Sequence, residues 1–231
     1  MTDFSYKIVK TSSPIDKLVV FLHGYTSNAE DIMPYAEILA KNLCNTLIVI
    51  PEASMTSERK EGKKQWYALL DIDPERRRKQ PDTPTEEIVE IYNKAGVRIS
   101  SVAKKINRFI SQFQKKYHIS NKHTFVMGFS QGAMLALYTG LTRRYELGGV
   151  FPFAGIICGK DLLEKEQVSH PEVYLFHGTD DFAVQYKTLE FTKNWLANHH
   201  IAWTALEYEG IAHKLIIDEM LDAAKIINQQ N

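Results

Sequence analysis

The sequence predicts an α/β fold, a mostly parallel, doubly wound sheet flanked by helices and built as a single domain. Short, near-continuous apolar runs recur along the chain, as strands covered on both faces require. Stretches with apolar residues at helical spacing separate these runs, which is the pattern of βαβ units. The chain has 231 residues, enough for one large domain, and no Gly/Ser/Pro-rich linker divides it.

The elements follow in order. Residues 18–22 read as the first buried strand, 29–42 as a helix, and 46–50 as the next strand. The stretch 52–84 then breaks the rhythm. It is polar, carries Pro74, Pro81 and Pro84 near its end, and contains Trp66-Tyr67-Ala68-Leu69-Leu70. An irregular insertion of this length is usually functional or disordered, and whether it acts as a lid is open at this stage. A long helix is expected over 85–117, with Ile88, Ile91, Val97, Ile106, Phe109 and Phe113 among its apolar positions. A strand at 124–127, a helix at 131–144, and strands at 149–153 and 172–176 come next. A helix at 185–199, a strand at 204–208 and a last helix at 214–229 complete the pattern.

Bulk properties narrow the function. Twenty-eight Lys and Arg balance 28 Asp and Glu, so the chain has no general electrostatic attraction for nucleic acid or an anionic membrane. Arg76-Arg77-Arg78-Lys79 is the local exception and reads as a solvated loop. The two cysteines, Cys44 and Cys158, form no CxxC pair, which excludes a disulfide framework and a zinc ribbon. Both lie beside apolar stretches and are expected to be buried, reduced thiols. The N-terminus has no basic segment followed by an apolar one. No apolar stretch reaches the roughly 20 residues that span a bilayer. A soluble, cytoplasmic protein without stable membrane insertion is the expectation, and dimerisation is left open.

The chemistry centres on Gly128-Phe129-Ser130-Gln131-Gly132, a G-x-S-x-G pattern with a strand-like run before it and a helical run after it. A serine nucleophile on a strand-to-helix turn needs small residues two positions away on either side, so that neighbouring backbones can close up. The turn also puts the hydroxyl at a helix N-terminus, where free N–H groups favour developing negative charge. Serine needs a base held by an acid, and in folds with this elbow the chain order is Ser, acid, His. Of eight histidines, His23, His118 and His123 precede Ser130. His177 reads as a turn residue, His199 and His200 as a helix C-terminus, and His170 as the approach to a strand. His213 follows the 204–208 strand and its turn, where a loop can lower an imidazole onto the serine. For the acid, Asp180 and Asp181 both follow the strand before, Asp161 is a third option, and spacing does not choose among them. Two backbone N–H donors are needed for an oxyanion hole, and Gln131 and Tyr25 are the candidates. Gln131 follows the nucleophile; Tyr25 lies in the loop after the first buried strand.

With these pieces in place, the chain resembles the phospholipase/carboxylesterase family of α/β hydrolases, which includes acyl-protein thioesterases. The resemblance rests on Leu22-His23-Gly24-Tyr25, Pro51-Glu52-Ala53, Gln65-Trp66-Tyr67, Gly128-Phe129-Ser130-Gln131-Gly132-Ala133, His177-Gly178-Thr179-Asp180-Asp181, and Tyr208-Glu209-Gly210 with His213. It implies Asp181 as the acid, beside Ser130 and His213, and Tyr25 and Gln131 as oxyanion donors. It also implies a substrate groove near Trp66, Phe182 and Val184. The sequence departs from the family where Phe182-Ala183-Val184-Gln185 replaces the common Pro-Val-Val-Pro and where Ala154-Gly155 replaces Ser-Gly. The insertion around Arg76 is also more polar than a lipid-facing cap. The expected function is hydrolysis of carboxylic esters with short to medium acyl chains through an acyl-enzyme, with no metal or organic cofactor. The expected partner is a small ester or thioester, and acylated protein or lysophospholipid are alternatives. A hydrolase-fold binding module without turnover is the distant rival.

Overall fold

The computed structural model describes residues 4–230. In chain order the elements are β1 (Tyr6–Lys10), β2 (Lys17–Leu22), α1 (Ala29–Lys41), β3 (Thr46–Pro51), β4 (Met55–Thr56), β5 (Lys64–Gln65), α2 (Thr85–Asn93), α3 (Gly96–Tyr117), β6 (Thr124–Phe129), α4 (Gln131–Leu141), β7 (Gly149–Phe153), α5 (Lys160–Glu166), β8 (Val173–Gly178), α6 (Thr188–Asn198), β9 (Trp203–Tyr208) and α7 (Ile217–Gln229). Seven strands form one sheet in the order β1-β3-β2-β6-β7-β8-β9. Only β1 runs antiparallel, against β3; the other pairings are parallel.

The apolar runs work as strands because alternate side chains enter two different cores. Leu18, Val20 and Leu22 of β2 join the core beneath α2 to α6, while Val19 and Phe21 join the one beneath α1 and α7. In β3, Leu47 and Val49 divide from Ile48 and Ile50 in the same way. Each such side chain, fully buried, contributes about 1.5–3 kcal/mol. α1 starts at a capping box: the Asn28 side chain accepts from the Asp31 N–H, and the Asp31 carboxylate accepts from the Asn28 N–H. α4 is buried along its whole length, which puts it at the centre of the core beneath α2 to α6.

The chain winds from β2 through α1 to β3 on one side. It returns later to pair β6 with the other edge of β2. Connections diverge at the C-terminal ends of β2 and β6, the place where ligands bind in open parallel sheets. Leu22 pairs with Gly128, so the residues that follow, His23-Gly24 and Phe129-Ser130, emerge side by side.

The structure departs from the sequence-based expectation at several points. The single helix expected over 85–117 is two helices. The chain breaks at Lys94-Ala95, where the Ala95 N–H bonds back only three residues, to Tyr92 O. The break lets Gly96 meet Gly159: a Cβ added to Gly159 would lie 2.5 Å from the Gly96 Cα. Val97, counted as apolar-face, is consequently 78% exposed. Strand β1 and helix α5 were not anticipated. Cys158 is buried, but Cys44 is exposed, because the turn between buried Leu43 and Leu47 points it outward.

The segment 52–84 contains the β4–β5 hairpin and a 3-10 turn at Arg77–Lys79. The basic run is only partly solvated. Arg78 is buried and pairs with buried Asp73, and Arg77 pairs with Glu87. The Gln185 amide donates to Arg78 O (2.9 Å) and Gln80 O (2.8 Å), and the Lys187 ammonium to Thr83 O (2.6 Å). These bonds hold the segment against the chain after β8. Among the described residues, no helix is long and apolar enough to cross a membrane.

Candidate active site

Strand β6 ends at Phe129 and helix α4 begins at Gln131, so one residue, Ser130, makes the whole turn. Its backbone sits at φ 55°, ψ −114°, a sparsely populated conformation that costs about 1–3 kcal/mol. The two flanking glycines make the turn possible. A Cβ on Gly128 would lie 2.2 Å from Gly132 O, and one on Gly132 would lie 2.4 Å from Leu22 O. The Ser130 N–H donates to Phe153 O (2.9 Å), which ties the turn to β7.

Three side chains from distant parts of the sequence meet here. His213 Nε2 lies 3.0 Å from Ser130 Oγ, and His213 Nδ1 lies 2.7 Å from Asp181 Oδ2. An ionised carboxylate can only accept, so Nδ1 carries the imidazole proton and Nε2 is left to accept from the serine hydroxyl. Burial works to raise the Asp181 carboxyl, but hydrogen bonds from His177 and His213 outweigh it and hold the group well below the usual carboxylate range. Its other oxygen accepts the N–H groups of Ala183 (2.8 Å) and Val184 (3.0 Å), which fixes its orientation. Asp180 is exposed, and Asp161, on α5, is engaged with Lys160 and with Asn93 of α2, so of the three candidate acids Asp181 is the one that meets His213.

The loop carrying His213 packs on the end of β8. A Cβ on Gly178 would lie 2.1 Å from Ile211 O, and the Asp180 N–H donates to that same carbonyl (3.0 Å). The Phe129 ring covers the imidazole at 4.8 Å between centroids. His177, expected in a turn, instead lies buried inside β8. Its Nε2 donates to Val184 O (2.9 Å) and sits 3.5 Å from Asp181 Oδ2, so it supports the acid from behind. Only its place in the His-Gly-Thr-Asp-Asp run hinted at this.

The loop after β2 runs beside the serine: a Cβ on Gly24 would lie 3.6 Å from Ser130 Cβ. Tyr25 follows, and its hydroxyl donates to Glu58 (3.1 Å). His23 anchors this loop. Its Nε2 accepts from the Ala53 N–H (3.1 Å), so Nδ1 carries the proton and donates to Gly24 O (2.9 Å). Burial pushes the His23 imidazole down, which suits this neutral form. Trp66 is buried, stacks on His23 at 4.8 Å and donates its indole N–H to His23 O (2.7 Å). The Gln131 side chain, a second feature that sequence reasoning missed, accepts from the Trp66 N–H and donates to Tyr67 O, both at 2.8 Å. Of the three residues expected along a groove, Trp66 and Val184 are buried and Phe182 is 66% exposed beside Asp181. Among the described residues, no group of three or more His, Cys, Asp or Glu is arranged to hold a metal ion.

Comparison with known proteins agrees with this architecture. Residues 5–231 match the phospholipase/carboxylesterase family model. The chain is 25% identical to acyl-protein thioesterase 1 of Kluyveromyces lactis over 96% of both chains. The crystal structure of esterase PE8 superposes with a TM-score of 0.82 at 24% identity, covering 99% of each chain. The Bacillus cereus carboxylesterase superposes with a TM-score of 0.72 at 17% identity, over 99% of this chain and 95% of that one. The fold is therefore the α/β-hydrolase fold, and the chain belongs to the phospholipase/carboxylesterase family, a family of serine esterases and thioesterases.

Proposed function

We propose that the protein hydrolyses carboxylic esters through an acyl-enzyme formed on Ser130. The observation that carries this reading is the hydrogen-bonded chain Ser130–His213–Asp181 at the start of α4. In the first step His213 Nε2 takes the Ser130 proton as Oγ attacks the substrate carbonyl. The charged Asp181 keeps the imidazole in the required tautomer and stabilises the imidazolium. The N–H groups of Gln131 and Tyr25 receive the tetrahedral oxyanion, each donor contributing about 3–4 kcal/mol to the transition state. His213 then passes its proton to the leaving oxygen. Water repeats the cycle and releases the acid, restoring the serine. Phe182, exposed beside Asp181, forms a wall for the acyl chain; Trp66 and Val184 shape the site from behind.

Ser130→Ala is expected to abolish hydrolysis of short p-nitrophenyl esters and labelling by a fluorophosphonate. Labelling that survives in the variant would sink the assignment. Asp181→Asn should lower kcat by about 10⁴ by trapping the wrong tautomer, whereas Asp180→Asn should have little effect. The full-length similarity to an acyl-protein thioesterase favours a second reading, thioester hydrolysis. An oxoester and a thioester with the same acyl chain separate the two: a kcat/KM at least tenfold higher on the thioester would favour the second.

A further inference from the structure

A cavity of about 280 Å³ opens beside Tyr25, between the loop after β2, the tip of the β4–β5 hairpin and the 3-10 turn. Besides Tyr25, its walls include Arg59, Lys60, Arg76, Arg78 and Lys79, and no carboxylate lines it. Arg78 is neutralised by Asp73. Among the described residues, the side chains of Arg59, Lys60, Arg76 and Lys79 have no carboxylate partner. The nearby acid, Glu58, already accepts from the Tyr25 hydroxyl and the Leu69 N–H. Burial, followed by the charges of Arg78, Arg76 and Arg59, pushes the Lys79 ammonium down, while Asp181 pulls the other way. The cations therefore crowd one another within electrostatic reach of the acid that holds His213. Like charges gathered around a small concavity are unfavourable until an anion fills it.

Two stretches of the cavity wall are tied to the segments that carry Ser130 and Asp181. Tyr25 follows Gly24, which packs on Ser130, and Arg78 O and Gln80 O are held by Gln185, four residues beyond Asp181. We propose that this basic cavity is a substrate subsite for an oxyanion, a carboxylate or phosphate carried on the same molecule as the scissile ester. The inference rests on the esterase reading and narrows it, from neutral acyl esters to esters bearing a second, anionic group. It also gives the Arg76–Lys79 run a role that a lipid-facing cap would not have.

The test compares mono-(4-nitrophenyl) glutarate with 4-nitrophenyl valerate, two esters of similar length that differ in the terminal carboxylate. The expected kcat/KM is at least tenfold higher on the glutarate ester at low salt, and the preference collapses in 0.5 M NaCl because the charges are screened. In Arg76→Gln/Lys79→Gln, kcat/KM should fall at least tenfold more on the glutarate ester than on the valerate ester. Equal rates on the two esters in the wild type, or an equal loss on both in the variant, would overturn the subsite while leaving the esterase reading intact. If neither ester is cleaved, the esterase reading fails, and a second arm decides the subsite. Calorimetric titration of Ser130→Ala with glutarate and with inorganic phosphate should show binding that the added Arg76→Gln/Lys79→Gln changes remove. Which of the two binds more tightly separates carboxylate from phosphate as the recognised group. Absence of binding, or equal binding with and without the two cations, would overturn the proposal.

Discussion

The turn around Ser130 and the segment 52–84 border the same site, yet different forces hold them. Around Ser130 the fit is steric and largely apolar: β2, β6 and α4 approach so closely that only glycine fits at Gly128 and Gly132. The insertion is held instead by polar bonds, with Arg78 buried on Asp73 and the Gln185 amide gripping two carbonyls of the basic turn. Close-packed backbone has no cheap alternative arrangement, whereas a polar network can be re-formed with water once opened. The first region suits a nucleophile whose position must not vary. The second suits a surface that selects what reaches it.

The largest expected effect lies on the steric side. Gly128→Ala or Gly132→Ala drives a methyl group into backbone carbonyls, with no flexible side chain to yield. The cost should exceed the ~1–3 kcal/mol usual for overpacking, and esterase activity should disappear. Thermal unfolding together with fluorophosphonate labelling reads both. A Gly132→Ala protein with native Tm and labelling rate would show that the backbone at this contact can yield despite the 2.4 Å approach.

Next comes the polar side. Arg78→Met leaves Asp73 buried without its partner, which should cost about 3–5 kcal/mol in urea unfolding. Adding Asp73→Leu should recover most of the loss, since two apolar side chains carry no unpaired charge. If the double variant is no more stable than the single one, the ion pair is not what holds the turn.

The same contrast explains what could be read in advance. The runs at 18–22 and 46–50 were legible because both of their faces are buried, so nearly every residue is apolar. β1 was not, because it is an edge strand with Tyr6 and Lys7 exposed and weak patterning. The elbow was legible because steric demand leaves one residue type at each flank. The break at Lys94-Ala95 was hidden because helical spacing continues across it, and its cause, the Gly96–Gly159 contact, lies far away in sequence. Asp181 could not be separated from Asp180 by spacing, since the loop hydrogen bonds of Ala183 and Val184 decide which carboxylate turns inward. The supports from His177 and the Gln131 side chain were missed for the same reason: each depends on a partner placed by the fold.

A buried acid on the apolar side sharpens the comparison further. Glu219, 2% exposed, caps α7 by accepting the Ile216 N–H (3.0 Å) just beyond the His213 loop. Burial pushes its carboxyl up to about 7 from an ordinary value of 4.5. The insertion pairs its buried charge; here the charge is removed by protonation. Between pH 4.5 and 7 the unfolded chain releases this proton while the folded protein keeps it, so stability is fully present below that window and falls as pH rises through it. The loss should approach about 3 kcal/mol, and Glu219→Gln should flatten it. Urea midpoints at pH 5, 6, 7 and 8 measure the slope; an unchanged slope in the variant would assign it to another group.

The smallest effect is expected where the two regions meet. The Gln131 side chain bonds Trp66 N–H and Tyr67 O, and so fastens the insertion to the first turn of α4, while its backbone N–H is the proposed oxyanion donor. Gln131→Ala removes the fastening and keeps the N–H. It leaves one buried donor and one buried acceptor without partners, a cost of about 1–3 kcal/mol in unfolding. If the backbone N–H is the catalytic contribution, kcat on a small neutral ester should fall less than tenfold, far less than on removing an oxyanion donor. If the polar tie sets the position of the insertion, the change should show chiefly in KM, because the surface that meets the substrate is loosened while the nucleophile stays packed. A kcat loss of a hundredfold with KM unchanged would reverse that division, since it would mean that the insertion positions Ser130 and not merely the substrate.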